Sequence, residues 1–469
     1  MTIHRPMFTR FRSILLVALL IGCASSQVAF AQQSDQWVQD SVLKVQMCQF
    51  QTLIEECDRI LADRMDPRAL VVRGLAQAAN QQADVGRTDA NKAFELATED
   101  PFVAALRVQT LFTDGFYLDA IEAGKAAVLA FPENWFVRLR LVNAHLAAFQ
   151  PAAAKTEMDK ALELGADSAY AFFMKAVLNW QYHQLEEAQQ NFSETLTRNP
   201  KYLNVLVMWA KMHFEFEQLE TGRQKLEQAI EIEPNYYLPY CELAKLEIRL
   251  EDPEVAKKLI EKAAERSDCW EVYYNRSIIA NRMNWGDPKQ ANYEPVLKLL
   301  DQAIELHPRK IPIYSMRSYV NAHADRESAA FADCERLEEL LGDSYLVSAI
   351  RGSAFNYLDD TASAVSEFEQ ALSAWPLDYD TTLNLAFVYS SRGNTELHRV
   401  IYLTKAIEMR PSIGSNYYYR SWSYDALNKD DLAEKDRKKA KELGFDSPRF
   451  EEDDTQEDTD QDEGSESKK

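Results

Sequence analysis

The side chains able to do chemistry in this chain are dispersed. His145, His183, His213, His307, His323 and His398 include no H-E-x-x-H pair and no two histidines four apart, the spacing that brings imidazoles to one helical face for a metal. Besides Cys23, the cysteines are Cys48, Cys57, Cys241, Cys269 and Cys334, with no C-x-x-C pair, so neither a zinc site nor a disulfide framework is indicated. Burial as small apolar residues is the favoured reading; were a bridge to form in an oxidising compartment, Cys241 with Cys269 is the pair that would make it. No G-x-S-x-G elbow, phosphate-cradling G-x-x-x-x-G-K-[ST] or G-x-G-x-x-G occurs. Acidic neighbours such as Glu186 with Glu187, or Asp359 with Asp360, point in different directions from a helix and read as solvated faces. The expectation is a chain without catalytic residues, cofactor or metal.

The elements that position these groups are helices. Among 469 residues only 14 are Gly and 16 Pro, with Leu, Ala, Glu and Lys throughout, so the turn chemistry of many strands is missing. Helix-like runs stop at Pro132, Pro200, Pro234, Pro308, Pro376 and Pro411, with gaps of 68, 34, 74, 68 and 35, multiples of 34 apart from two small insertions. Five residues before most of these prolines lies an alanine, in the series Ala127, Ala161, Ala229, Ala263, Ala303, Ala371, Ala406 and Ala440. A second small-residue series runs Ala120, Ala154, Ala188, Gly222, Ala256, Ala330, Ala364 and Ala433. Each unit is therefore two helices of about 13 residues whose axes cross roughly 8 to 10 Å apart, where only small side chains fit. The eighth position of each unit supplies the facing contact: Gly74, Ala176, Ala210, Ala244, Ser318, Gly352, Ala386 and Ser421, with larger Val108, Val142 and Ile278 as departures.

This pattern resembles the tetratricopeptide repeat. Unit 345–378 carries Gly352, Phe355, Ala364, Phe368, Ala371 and Pro376; unit 414–447 carries Tyr417, Ser421, Tyr424, Ala433 and Ala440, followed by ELGFD. The resemblance implies an all-α fold, a right-handed α-solenoid of stacked antiparallel helix pairs. Eleven units start near 67, 101, 135, 169, 203, 237, 271, 311, 345, 379 and 414, filling 67–447, and a divergent helix pair occupies 32–66. Six extra residues around NWGDPKQ, with Trp285, and one near RGNTE fall where the first helix turns into the second, and should project as loops. The last helix, DDLAEKDRKKAKEL, places Asp430 as its N-cap and has the polar outer face of a terminal repeat, with Arg437 where earlier units use Phe192, Leu226 or Phe368.

The resemblance also implies that the first helix of each unit lines a concave groove through positions two, five, nine, twelve and thirteen. In the first half these give Phe102, Phe112, Phe136, Tyr170, Phe173, Trp180 and Phe214. That aromatic tract is either core between repeats or an anchor for a partner's apolar side chains. In the middle units they give Lys211, Lys245, Arg249 and Arg282, with Glu215 as the exception. These cations are either scattered solvated charges or a focus for an acidic or C-terminal peptide. The family's carboxylate-clamp pattern is not reproduced, so recognition of chaperone tails is not implied.

A net charge of -22 disfavours a nucleic-acid partner, because affinity for phosphate backbones needs a positive footprint. Residues 1–31 have the three parts of an export signal: Arg5, Arg10 and Arg12, a short apolar core, then small residues, with Ala29-Phe30-Ala31 as a cleavage site. Leu20-Ile21-Gly22-Cys23 offers the alternative of a lipid-modified Cys23, a lipid anchor without a transmembrane span. Residues 448–469 form an acidic tail with almost nothing apolar to bury; it serves as solubilising charge or folds back over Lys245 and Arg249. The expectation is an exported scaffold or adaptor, periplasmic or extracellular, that binds a protein or peptide partner with acidic segments. A repeat-containing subunit of an envelope enzyme or assembly complex, and a structural oligomer, are the competing readings.

Overall fold

The computed structural model describes residues 37, 41, 44, 49–80, 82, 84–283, 292–390 and 395–445. The export segment with Cys23, most of 32–48, the NWGDPKQ insertion with Trp285, residues 391–394 of the second insertion and the tail lie outside these residues.

The described residues contain helices and no strand. Helix α1 (Phe50–Asp63) precedes eleven pairs. They are α2 (Pro67–Ala79) with α3 (Val85–Leu96), α4 (Pro101–Thr113) with α5 (Tyr117–Ala130), α6 (Trp135–Ala147) with α7 (Pro151–Glu163), and α8 (Ala169–Gln181) with α9 (Leu185–Arg198). Next come α10 (Leu203–Glu215) with α11 (Leu219–Ile232), α12 (Leu238–Arg249) with α13 (Pro253–Ala264), α14 (Trp270–Met283) with α15 (Glu294–Leu306), and α16 (Ile311–His323) with α17 (Glu327–Leu341). The array closes with α18 (Tyr345–Tyr357) and α19 (Thr361–Ala374), α20 (Tyr379–Ser390) and α21 (Glu396–Met409), then α22 (Gly414–Ala426) and α23 (Asp430–Glu442). Every first helix starts within one residue of a position read from the proline and alanine spacing. The fold is an all-α solenoid of stacked helix pairs.

Local chemistry explains the joints. Pro67, Pro101, Pro151 and Pro253 stand at the first helical position, where a missing N–H costs nothing. Asp66, Asp100, Asn134 and Ser168 cap the helices that follow them. Across the proline breaks runs a recurring bond from the fourth residue of the next unit. Tyr240, Tyr314 and Tyr417 donate to the carbonyls of Pro234, Pro308 and Pro411 at 3.1, 2.8 and 3.2 Å, and Arg138 does the same to Pro132 at 3.0 Å. Asp430, expected as an N-cap, is instead the first helical residue of α23, and Lys429 holds the cap position. With Asp431 it places negative charge in the first turn, where the helix dipole favours it.

Nearly all the small residues of the two series are fully buried, and Gly74 shows why. A Cβ there would lie 2.6 Å from the Gly86 carbonyl oxygen, so α2 and α3 meet backbone to backbone. The departure expected at Ile278 is resolved by register: α14 begins at Trp270, so its eighth residue is Ser277, fully buried, with its hydroxyl donating to the Tyr274 carbonyl at 2.6 Å. Cys241 and Cys269 lie in one core cluster as free buried thiols, unbridged, and burial pushes the Cys269 thiol up to about 12.

First helices of neighbouring units pack on one another along most of the array, whereas second helices of neighbouring units do not pack closely. The first helices therefore occupy the inside of the curve. The curve closes on itself: residues about 195 apart meet along a seam where turns inside units two to five touch joints between units seven to eleven. Lys310 Nζ donates to the Thr113 carbonyl at 2.6 Å and Arg309 Nε to the Asp114 carbonyl at 3.0 Å. Ser344 Oγ reaches the Ala148 carbonyl at 3.5 Å. His183 Nε2 reaches the Leu377 carbonyl at 2.8 Å, and Arg410 pairs with Glu215 at 2.8 Å. The same seam is apolar inside, because Leu111, Tyr117, Ile121 and Leu141 share a core cluster with Ile311, Tyr314, Leu337 and Leu341.

Candidate functional site

The expected cation cluster is neutralised from within. Lys245 Nζ lies 2.6 Å from Glu242, itself 6% exposed; burial pushes the Glu242 carboxyl up, but Lys245 and Lys211 outweigh it and hold the group below its ordinary value. Arg249 donates to the Phe214 carbonyl at 2.6 Å and lies 3.5 Å from Glu217; Arg282 lies 3.3 Å from Glu251. Both arginines are the last or next-to-last residue of a first helix, and each acid sits in the turn of the preceding unit. The focus for an acidic peptide expected at Lys245, Arg249 and Arg282 is thus a set of ion pairs within the array, with Lys211 beside them acting on Glu242 and Glu215.

Of the two readings of the aromatic tract, the burial of Tyr170, Phe173 and Trp180 is that of core between repeats. Tyr170, Phe173 and Trp180 belong to a core cluster, with 7, 9 and 6% exposure. Trp180 Nε1 donates to Glu215 at 2.9 Å beside the seam, and half-buried Phe214 lies over Gly222, where an added Cβ would be 2.3 Å from its ring. Phe136 enters a stack formed by second-position residues of successive units. Arg68 lies 5.7 Å from the Phe102 ring, and Phe102 stacks on Phe136 at 6.0 Å. The Arg140 guanidinium sits 4.5 Å from the Phe136 ring centroid and 3.9 Å from that of Tyr170.

Arg140, the sixth residue of its unit, was not among the expected groove positions. It is 2% exposed, its Nε and Nη1 have no hydrogen-bond partner, and among the described residues no carboxylate pairs with it. Cation–π contact is worth about 2 kcal/mol when desolvated, against several kcal/mol for burying an unpaired charge. Arg140 lines a cavity of about 200 Å³ formed by α1, α2, α4, α6, α8 and the start of α10. A larger groove of about 790 Å³ lies between α15, α16 and α17. Apart from Lys298, its charges are spent on one another, Arg317 on Asp301 and Asp333, Arg326 on Glu294.

In the second half, aromatic groups reach the inner wall with solvent access. Tyr319, His323 and Tyr357 cluster with ring centroids 4.0 to 5.1 Å apart. Phe387 meets Tyr419 edge to face at 5.1 Å, and Tyr419 meets Trp422 at 5.7 Å. Tyr357 and Phe387 are 39% and 36% exposed. They stand at positions thirteen and nine of their units, among those expected to face the groove. Among the described residues no group of three or more His, Cys, Asp or Glu is placed to hold a metal ion, and no helix is long and apolar enough to cross a membrane.

Eleven helix pairs at a spacing near 34 residues, small residues at most crossings and first helices on the inside decide the type of solenoid. The fold is that of a tetratricopeptide-repeat array. Solved structures that the chain resembles include yeast Tom70, with 16% identity over 80% of this chain and 92% of that one at a TM-score of 0.45. A tetratricopeptide repeat protein from Parabacteroides merdae has 15% identity over 54% and 98% at 0.36, and human IFIT1, as a dimer with PPP-AAAA, 15% over 69% and 78% at 0.42. No family model matches the sequence, and no curated protein does.

Two features of this tetratricopeptide array were not exposed by spacing alone, and only one of them had a signal in the sequence. Arg on the first helix and Asp on the second, at matching positions of their units, give ion pairs sixteen residues apart: Arg73 with Asp89, Arg317 with Asp333 and Arg420 with Asp436, at 2.6 to 2.7 Å. The seam had none, since contacts 195 residues apart depend on the pitch of the whole coil.

Proposed function

We propose that the chain is a non-enzymatic scaffold or adaptor that binds a protein or peptide partner on the inner wall of its second half. The observation that carries this reading is the partly exposed aromatic line Tyr357, Phe387, Tyr419 and Trp422, large rigid groups of the kind that anchor partners. An apolar or aromatic side chain of the partner would insert there. The acidic segments expected of the partner find no cluster of unpaired cations at Lys245, Arg249 and Arg282, so apolar anchoring rather than charge carries the reading.

The export segment supports work in the cell envelope, either after cleavage at Ala31 or as a Cys23 lipoprotein. Cross-linking in intact cells tests the scaffold role, comparing the native chain, a Tyr357→Glu/Phe387→Glu variant and a control with Leu129→Glu, a residue 84% exposed on a second helix. The reading expects the same partner with the native chain and the control and its loss from the double variant. Recovery from all three alike, or from none, contradicts it. Fractionation with and without residues 1–31 tests the envelope placement, which fails if the full chain stays in the cytoplasm.

A further inference from the structure

We propose that the cavity at Arg140 is a binding site for a small organic monocarboxylate with an apolar body. This goes beyond the scaffold reading and does not depend on it, since the cavity lies in the first half of the array.

The argument begins with the charge. Arg140 is the only charged side chain among the described residues lining the cavity. It is 2% exposed, and two of its nitrogens have no hydrogen-bond partner. Proteins rarely bury an unpaired cation, and a ligand carboxylate would supply the missing partner in a charge-assisted, planar pairing for which guanidinium is suited. Asn143 is held in place by donating to the Tyr170 hydroxyl at 2.7 Å. The Phe136 and Tyr170 rings, 4.5 and 3.9 Å from the guanidinium carbon, hold the group by cation–π contact and supply no hydrogen-bond acceptor.

The walls set the rest of the ligand. Val72, Leu75, Leu106, Phe112 and Phe173 make the cavity largely apolar away from Arg140. A dry apolar cavity of about 150 Å³ accepts benzene, so about 200 Å³ takes a benzene-sized body with one carboxylate. A folded-in peptide segment is too large. A dianion such as phosphate would bring a second charge to walls whose described residues hold no second cation.

The test is titration calorimetry on the full chain with benzoate, benzamide and inorganic phosphate. Benzamide keeps the ring and loses the charge; phosphate keeps charge and loses the ring. The proposal expects benzoate to bind on the order of tenfold tighter than either. Arg140→Met, which keeps much of the volume, should abolish that preference without lowering the melting temperature, since it removes an unpaired buried charge. If that variant does not fold, Leu75→Trp fills the cavity with Arg140 in place and should likewise abolish benzoate binding. The proposal is overturned by no benzoate binding up to about 10 mM, by equal affinity for benzamide or phosphate, or by unchanged benzoate affinity in Arg140→Met. Binding of a long acidic peptide without benzoate binding also overturns it.

Discussion

At the residue scale, what matters is whether a charge is buried with its partner or merely near one. Arg317 holds Asp333, which is 2% exposed, at 2.6 Å; Arg249 and Glu217 are 3.5 Å apart with both side chains more than 40% exposed. Arg317→Ala strands a buried carboxylate and should cost about 3 kcal/mol, whereas Arg249→Ala should cost less than about 1 kcal/mol; chemical denaturation of the two variants checks the contrast. His183 makes a second test. Burial lowers its pKa to about 4, so the folded chain holds it neutral while the unfolded chain takes up a proton near its ordinary value of 6.5. Its contribution is intact above about 6.5 and is lost as pH falls from there toward 4. In His183→Gln the fall in stability across that window should be shallower by up to about 1.4 kcal/mol per pH unit, measured by denaturation at a series of pH values. Equal slopes would place the acid sensitivity elsewhere.

At the scale of the element, helix pairing follows from a few close approaches. The Gly74→Ala Cβ would press on the Gly86 backbone, which has no rotamer to yield, so the change should destabilise by about 1 to 3 kcal/mol. The turns between paired helices repeat a left-handed residue at position fifteen, yet among the described residues only Gly115 is a glycine there; Phe149, His183, Glu217, Glu251, Asp325, Asp359 and Asn428 have φ between 53° and 64°. Asp359→Gly relieves that strain and should raise the melting temperature slightly. Phe149→Gly relieves the same strain but removes a ring packed on Tyr345 at 6.4 Å, and should lower it. The pairing was legible in the sequence because alanine, glycine or serine at a crossing has few substitutes and recurs with the unit. The register at Ser277 was not, since the shift there is one residue and Ile278 is also compatible with a helix. Arg140 escaped notice because its importance lies in the absence of a partner, which no spacing records.

At the scale of the whole molecule, the groove expected from the repeat pattern is closed over much of its length. Trp180, Phe173 and Tyr170 became core because residues of their own and adjacent units, from Leu139 to Phe216, pack around them, and Arg309, Lys310 and Arg410 meet the carbonyl-rich ends of first helices, where cations are favoured. In a chain of net charge -22, these cations are placed where they hold the coil shut. The seam is the central claim, and Leu118 reports on it: it is 39% exposed and lies 3.8 Å from where a Cβ on Gly342 would stand. With a photo-reactive phenylalanine analogue at position 118, irradiation of the purified chain followed by peptide mapping should give an intramolecular adduct on the segment around Gly342. Adducts confined to residues near 118 in sequence, with none around 342, would contradict the closed coil.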